Sequence, residues 1–237
     1  MKGITPDQTA WAMLHRLRSV LVRPGRERLV GRVEVDETFI GSDEPGRIGR
    51  PGPQSNKTLV GVAVERIEPK GFGRCRMAVL ADASANSLRA FLTDNVEPGA
   101  TVITDGWGPY LPATKDLYAH ERLSGAAGRQ ASKLLPGVHK VSSLAKRWLL
   151  GTHQGAVDEA HLPSYLDEFV FRFNRRRSRS RGLVFYRVLE LAASHDPVRY
   201  RDLIANPRPG TGQTVAPGTR GHPASIERPP ANRPWRN

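Results

Sequence analysis

Three strand-like segments follow one another in the first third of the chain, and they constrain the fold more than any other feature. From Gly31 onward, apolar residues alternate or run together in residues 33–40, 59–64 and 75–80. Loops rich in glycine and proline separate these segments, as is typical of successive β-strands. The sequence therefore predicts that a β-sheet begins at about residue 31.

Helical and strand-like segments alternate after this point. Helical spacing of apolar residues is followed by a short apolar strand that stops at Asp105-Gly106, and helical patterns then dominate. The predicted elements are a helix over Ser84–Asn95, strands over Thr101–Thr104 and, more weakly, Leu117–His120, and helices over Val138–Leu150, His161–Phe173 and Val184–His195. This order predicts an α/β fold with a mixed sheet flanked by helices.

A short amphipathic helix is expected before the sheet, over about residues 6–22. Thr5-Pro6-Asp7-Gln8 reads as a capping box with proline at the first helical position. Trp11, Leu14 and Leu17 recur at helical spacing, and this apolar face is expected to pack against the rest of the domain. The other face carries His15, Arg16 and Arg18, for which DNA contact and a solvated basic surface are equally consistent.

Composition changes again near the C-terminus. The last 32 residues, from Asn206, contain seven prolines and four glycines with few apolar residues, which predicts a disordered tail. The expected organisation is therefore an N-terminal region over 1–30, a folded α/β domain over 31–200 and the tail over 206–237.

The charge of the chain indicates a polyanionic partner. Lysine and arginine number 36 against 23 acidic residues, which leaves a net charge of +13. There is no run of about 18 apolar residues and no signal-peptide pattern, so nucleic acid in the cytoplasm is favoured over a membrane surface. The single cysteine, Cys75, excludes an internal disulfide and a zinc site built from several thiolates.

Two aspartates, Asp36 and Asp105, interrupt or end apolar strands. Burying an ionised carboxylate is costly unless a cation, a hydrogen bond or a metal compensates it. In a basic protein, two such residues suggest carboxylates that converge on divalent metal ions. Two metals about 3.5–4 Å apart can assist both the attacking and the leaving oxygen of a phosphoryl displacement.

Several blocks of sequence, in this order, resemble bacterial insertion-sequence transposases of the DDE type, whose catalytic domain has an RNase H-like fold. The blocks are Val35-Asp-Glu-Thr-Phe-Ile-Gly41, Lys57-Thr-Leu-Val-Gly61, Thr104-Asp-Gly-Trp107, Lys146-Arg-Trp-Leu-Leu-Gly-Thr-His153 and Tyr165-Leu-Asp-Glu-Phe-Val-Phe-Arg-Phe-Asn-Arg175. The resemblance covers about residues 8–195. It implies an α/β RNase H-like fold and metal-dependent cleavage and strand transfer of DNA, with Mg²⁺ or Mn²⁺ as cofactor.

The same resemblance implies a set of site residues. Asp36 and Asp105 correspond to the first two metal ligands, and His139 stands where the family usually has a glutamate. Lys146 follows seven residues later, which brings it back to the same helix face two turns on. Imidazole suits softer ions than magnesium, so the metal preference depends on His139, for which a surface position at a helix N-terminus remains the alternative.

Two further acids lie near these residues in the sequence blocks and need an interpretation of their own. Glu168 is an alternative third carboxylate, although ion pairing with Arg172 on the same helix is favoured. Glu37 neighbours Asp36 but is expected to point to the opposite face of the strand, which favours a structural or surface role.

A run of six arginines in ten residues, from Arg172 to Arg181, is expected to bind DNA phosphates. Packing is favoured over DNA contact for Trp148, and His153 beside it is consistent with either. The residues expected to bind DNA are Lys146, Arg147, Arg172, Arg175, Arg176, Arg177, Arg179 and Arg181.

The predicted function is transposition, with element ends and target as DNA partners and a homodimer or larger assembly on DNA. Two alternatives remain open: an RNase H-like nuclease that lacks strand transfer, and an inactive or truncated DNA-binding remnant. Relatives of the family usually carry a helix-turn-helix before the first catalytic strand, so residues 1–30 are expected to be a remnant of that DNA-binding region. This favours a product that discriminates its own element's ends poorly.

Overall fold

The computed structural model describes residues 6–23, 25–41, 57–123, 134–153 and 157–205, and it confirms the α/β prediction. Its centre is a five-stranded mixed sheet in the order β3-β2-β1-β4-β5. The strands are β1 (Arg32–Ile40), β2 (Thr58–Arg66), β3 (Phe72–Val79), β4 (Thr101–Thr104) and β5 (Ala119–Arg122). The first three pair antiparallel, whereas β4 runs parallel to both β1 and β5.

Seven α-helices are described around this sheet in the resolved ranges. They are α1 (Pro6–Ser19), α2 (Ala85–Asn95), α3 (Tyr110–Thr114), α4 (Pro136–His153), α5 (Leu162–Asn174), α6 (Arg181–Ala193) and α7 (Tyr200–Ala205), and a single 3₁₀ turn (Glu159–His161) precedes α5. No helix among these residues combines the length and apolar character needed to cross a membrane.

The sheet is covered on both faces, and strand β1 shows why. Val33 and Val35 are buried in the cluster formed with α2 and α3, while the residues that alternate with them face α4. That second face carries the larger core, built from Val60, Val62 and Ile103 of the sheet with apolar side chains of α4 and α5. Helix α4 therefore lies directly over the central strands.

Most of the predicted elements are confirmed, with shifts at their ends. The weak strand near residue 120 lies at Ala119–Arg122 rather than Leu117–His120, and α1 ends at Ser19 instead of residue 22. Cys75 is fully buried. The capping residue Thr5 and the tail at 206–237 lie outside the described residues.

The prediction for the buried face of α1 holds for Trp11, which is half-buried and packs on His161, and it is wrong for Leu14 and Leu17. Leu14 and Leu17 are 51% and 42% exposed, whereas His15 and Arg18 are buried at 3% and 5%. Arg18 is buried because Nε pairs with Glu168 at 2.7 Å and the guanidinium lies 4.2 Å from the centroid of Tyr165. A compensated cation with an aromatic partner thus displaces leucine from the contact with α5.

Candidate metal and DNA site

Strands β1 and β4 bring Asp36 and Asp105 together. The two strands are parallel neighbours, with Glu34 opposite Ile103. Asp36 lies two residues after Glu34 in β1, and Asp105 lies two residues after Ile103, just beyond the end of β4. Because side chains alternate along a strand, both carboxylates project from the face that α4 covers.

The environment of Asp36 disfavours its charge. Burial raises the pKa of Asp36 to about 6, and the negative charge of Asp105 acts in the same direction. A hydrogen bond from the backbone N–H of Glu37 to Oδ1, 2.8 Å long, and the nearby His139 work against this rise in the pKa. Asp105 and His139 thus lie close enough to Asp36 for their charges to affect its pKa.

A tight turn orients Asp105. Oδ1 accepts a hydrogen bond from the N–H of Trp107 at 3.0 Å. Gly106 has φ +86°, a conformation that favours glycine, and its N–H donates to Oγ1 of Thr104 at 3.1 Å. Asp105 itself is exposed.

Helix α4 carries the remaining predicted residues. His139 lies in the first turn and is half-buried, and Lys146 and Arg147 are exposed two turns later. Helical geometry places His139 and Lys146 on one side of α4. The structure therefore brings His139 near Asp36 and leaves the two cations on the open surface of the same helix.

Glu34 is a site residue that the sequence analysis missed. It is fully buried, and Oε2 accepts hydrogen bonds from the backbone N–H groups of Gly137 and Val138 at 2.7 and 3.1 Å. Burial raises the pKa of this carboxyl, against the effect of the two hydrogen bonds. Oε1 has no hydrogen-bond partner among the described residues. Glu34 thus attaches the N-terminus of α4, where His139 lies, to the strand that carries Asp36.

Gly137 is needed for this attachment. A Cβ at position 137 would come within 2.8 Å of both Oε2 of Glu34 and Cδ1 of Phe72. The sequence does contain a signal for the contact, namely an acid between the buried Val33 and Val35 and a Pro136-Gly137 pair opening a helix.

The two other acids take structural positions. Glu168 pairs with Arg172 as expected, at 2.7 Å, and its second oxygen pairs with Arg18, also at 2.7 Å. Glu37 lies on the opposite face of β1 from Asp36, beside Tyr110, whose pKa is raised well above its usual range by burial and then by the charge of Glu37.

The arginine run divides into two groups. Arg172 pairs with Glu168, Arg175 lies over Phe171 at 3.7 Å from the centroid, and Arg176 lies over Phe173 at 3.9 Å. Arg177, Arg179 and Arg181 are exposed, and among the described residues no hydrogen bond or ion pair holds them. The first group packs against α5, and the second group is available for phosphate contacts.

Trp148 and His153 pack at the end of α4. The ring of Trp148 lies 6.0 Å from that of Phe169 and 5.1 Å from that of His153, which in turn lies 4.6 Å from Tyr165. Burial lowers the pKa of His153. Trp148 therefore packs against neighbouring rings and remains half-buried.

The chemistry of the donors suits a hard divalent cation in part. Carboxylate oxygens are the ligands that Mg²⁺ and Mn²⁺ prefer, and Asp36 and Asp105 offer them from adjacent strands. Within the described ranges, however, no three His, Cys, Asp or Glu side chains lie close enough together to hold a metal ion. The two aspartates therefore offer suitable ligands, but among the described residues no third ligand lies close enough to complete the set.

Comparison with known proteins places these residues in a family. The model of the ISXO2-like transposase domain matches residues 28–174, which include β1 to β5, α4 and α5. Comparison with curated proteins gives no match.

Solved structures of Mos1 mariner transposase are similar at low identity. They include a paired-end complex with Mn, at 15% identity and a TM-score of 0.32, and a pre-cleavage transpososome, at 14% and 0.31. The alignments cover 77% and 79% of this chain, which spans 64% of the length of both Mos1 chains. On the match of the domain model across more than half of its residues, the chain belongs to the ISXO2-like transposase domain family.

Proposed function

We propose that this chain is the catalytic part of an insertion-sequence transposase that cleaves DNA strands and joins the cut ends to a target. The observation that carries the proposal is the convergence of Asp36, within β1, and Asp105, just beyond the end of the neighbouring β4. His139, in the first turn of α4, lies near Asp36.

Asp36 and Asp105 would hold a divalent metal. His139 lies near Asp36 without completing a three-residue ligand set among the described residues, so it would join as a third donor only after its side chain moves. When bound, such an ion supplies charge stabilisation for the attacking and leaving oxygens of phosphodiester exchange. The raised pKa of Asp36 supports this assignment, because an uncompensated pair of carboxylates is what a cation would stabilise.

The cations of α4 would position the DNA. Lys146 stands on the same side of the helix as His139, and Arg147 is exposed beside it. Ammonium and guanidinium groups there would bind the phosphates that flank the scissile bond, while Arg177, Arg179 and Arg181 extend the contact along the backbone of the DNA. Joining paired element ends calls for at least two copies of the chain on DNA.

His139 should set the metal preference. Nitrogen donors are less suited to Mg²⁺ than to Mn²⁺, so we expect a higher ratio of Mn²⁺-supported to Mg²⁺-supported cleavage than in a His139→Glu variant. Cleavage rates in each metal measure the ratio. Identical ratios for both proteins would remove His139 from the metal site.

The function is tested by incubating the protein with its element's end DNA, a target plasmid and Mg²⁺ or Mn²⁺, and separating nicked from joined products. Asp36→Ala and Asp105→Ala should each lower cleavage by roughly a thousandfold or more, since a metal contributes several kcal/mol to such a reaction. DNA affinity should stay nearly unchanged, because the basic surface supplies it.

Glu190→Gln, at an exposed acid of α6, is the matched control and should cleave like the wild type. If the DNA is nicked but never joined to the target, the protein is a nuclease and not a transposase. Cleavage at the wild-type rate by either alanine variant would refute the metal assignment.

A further inference from the structure

A groove between α4, α5 and the edge strand β3 lies outside the site described above. Its cavity volume is about 770 Å³. The lining combines the rings of Phe72, Trp148, Phe169 and Phe173 with the cations Lys140, Arg172, Arg176 and Arg177, and it includes no acidic residue. Aromatic rings beside positive charge are what single-stranded nucleic acid requires of a binding surface.

The aromatic side chains form a row. The centroids of Trp148 and Phe169 are 6.0 Å apart, and Phe169 stacks on Phe173 at 6.0 Å with an interplanar angle of 26°. Trp148 and Phe173 are half-buried, whereas Phe169 between them is buried. The two ends of the row are therefore the parts that reach solvent.

The cations differ in how firmly they are held. Arg176 is fixed over Phe173, and its guanidinium donates to the carbonyl oxygens of Phe72 at 2.5 Å and Gly73 at 3.1 Å. These carbonyls orient the group but leave its charge unneutralised. Lys140 and Arg177 are exposed, and no ion pair among the described residues involves either one. Arg172 is the exception, because Glu168 neutralises it.

Helix α4 connects the groove to the aspartate site. At about 100° per residue, Pro136, Lys140, Leu144 and Trp148 form one stripe that lines the groove. His139 and Lys146 form a second stripe on the other side of the helix, and the exposed Arg147 lies between the two. A strand that crosses α4 would thus meet Lys146, Arg147 and Lys140 in turn.

We propose that this groove binds unpaired nucleotides of a DNA strand that continues from the aspartate site. The bases contact the exposed ends of the aromatic row, and the phosphates contact Lys140 and Arg177. A duplex does not fit this description, because base pairing and stacking hide the faces of its bases. The inference rests on the proposed function for its choice of DNA, but binding in the groove needs neither metal nor cleavage.

The test is equilibrium binding of a fluorescent oligothymidylate and of a duplex of the same length, without divalent metal. Lys140→Ala and Phe173→Leu should each weaken single-strand binding about fivefold to tenfold and change duplex binding less than twofold. Lys115→Ala, at an exposed lysine after α3 on the other face of the sheet, should change neither. Equal loss on both DNAs, or no loss on either, would overturn the proposal.

Photo-crosslinking keeps the test independent of folding in the variants. The wild-type chain bound to an oligonucleotide containing 5-iododeoxyuridine should cross-link at Trp148, Phe173 or Phe72, as mapped by mass spectrometry. Cross-links confined to other parts of the chain would exclude the groove. Asp36→Asn should give the same cross-links, so a failure of catalysis and a failure of this groove are distinguishable.

Discussion

Glu34 and Asp36 stand two residues apart on the same face of β1, yet their surroundings differ. Burial raises the pKa of both carboxyl groups. Glu34 receives two backbone N–H groups from the first turn of α4, whereas Asp36 receives one from its own neighbour Glu37 and faces the charge of Asp105. Oε2 of Glu34 is thus bound within the fold, whereas Asp36 is the acid for which we propose a cation.

The difference teaches how a buried acid reveals its role. A carboxylate oxygen that accepts hydrogen bonds from the backbone N–H groups of another element connects the two elements and is engaged by those bonds. Two neighbouring carboxylates repel each other, and such an unfavourable arrangement is typical of sites where a bound ligand reduces the repulsion. Strand β1 carries both kinds, so the same strand positions α4 and presents the carboxylate that we propose as a metal ligand.

The first prediction sharpens the contrast at Asp36, and it has the largest expected effect on stability. Because the folded-state pKa is raised from 3.8 to about 6, the native state binds the proton more tightly than the unfolded state between these values, and stability falls as pH rises through this window. Asp36→Asn should therefore stabilise the metal-free protein by up to about 3 kcal/mol at pH 7.5.

Thermal unfolding in EDTA at pH 7.5 and at pH 4 measures this effect. The gain from Asp36→Asn should shrink toward zero at the lower pH, where the wild-type carboxyl is neutral in the folded state. A gain that is the same at both pH values would show that the charge of Asp36 is not the cause.

The second prediction breaks the compensated acid. Glu34→Ala should lower the free energy of unfolding by about 2 kcal/mol, because it leaves the buried N–H groups of Gly137 and Val138 without acceptors. Glu34→Gln keeps one carbonyl acceptor and should cost less. Urea unfolding of the three proteins checks the order, and equal stability of Glu34→Ala and the wild type would contradict the attachment.

The third prediction extends the comparison to the arginine run, where the expected effect is smallest per residue. Arg177→Ala, Arg179→Ala and Arg181→Ala, combined, should weaken DNA binding and lower the slope of log affinity against log salt by up to about three. Arg175→Ala combined with Arg176→Ala should instead lower the unfolding temperature, because both side chains pack on α5 rings. An unchanged salt slope in the triple variant would leave these arginines as a solvated surface.

The helices and strands can be predicted because the apolar residues of each one repeat at the spacing typical of that element. The alternation in β1 and the helical spacing in α4 and α5 are visible in single segments, and the structure places strands and helices there. The pairing of Asp36 with Asp105 follows from their positions within or at the end of apolar strands together with the family resemblance. Local pattern therefore located the elements and the two aspartates.

Contacts between distant segments were not predictable in the same way. Glu34 meets Gly137 across 103 residues, and Arg18 meets Glu168 across 150. Neither contact produces a periodic pattern in the sequence. Helical spacing alone therefore predicts that the leucines of α1 are buried, whereas Arg18 is the buried residue. The division of the arginine run likewise depends on which rings α5 presents.

The most direct measurement of the central claim is the binding of Mn²⁺, without DNA, by isothermal titration calorimetry at pH 7.5. The wild-type chain should bind the ion, and Asp36→Asn and Asp105→Asn should each weaken binding at least tenfold, because each removes one of the two converging carboxylates. Glu190→Gln should bind like the wild type. Wild-type affinity in either aspartate variant would contradict the assignment of Asp36 and Asp105 as the metal site.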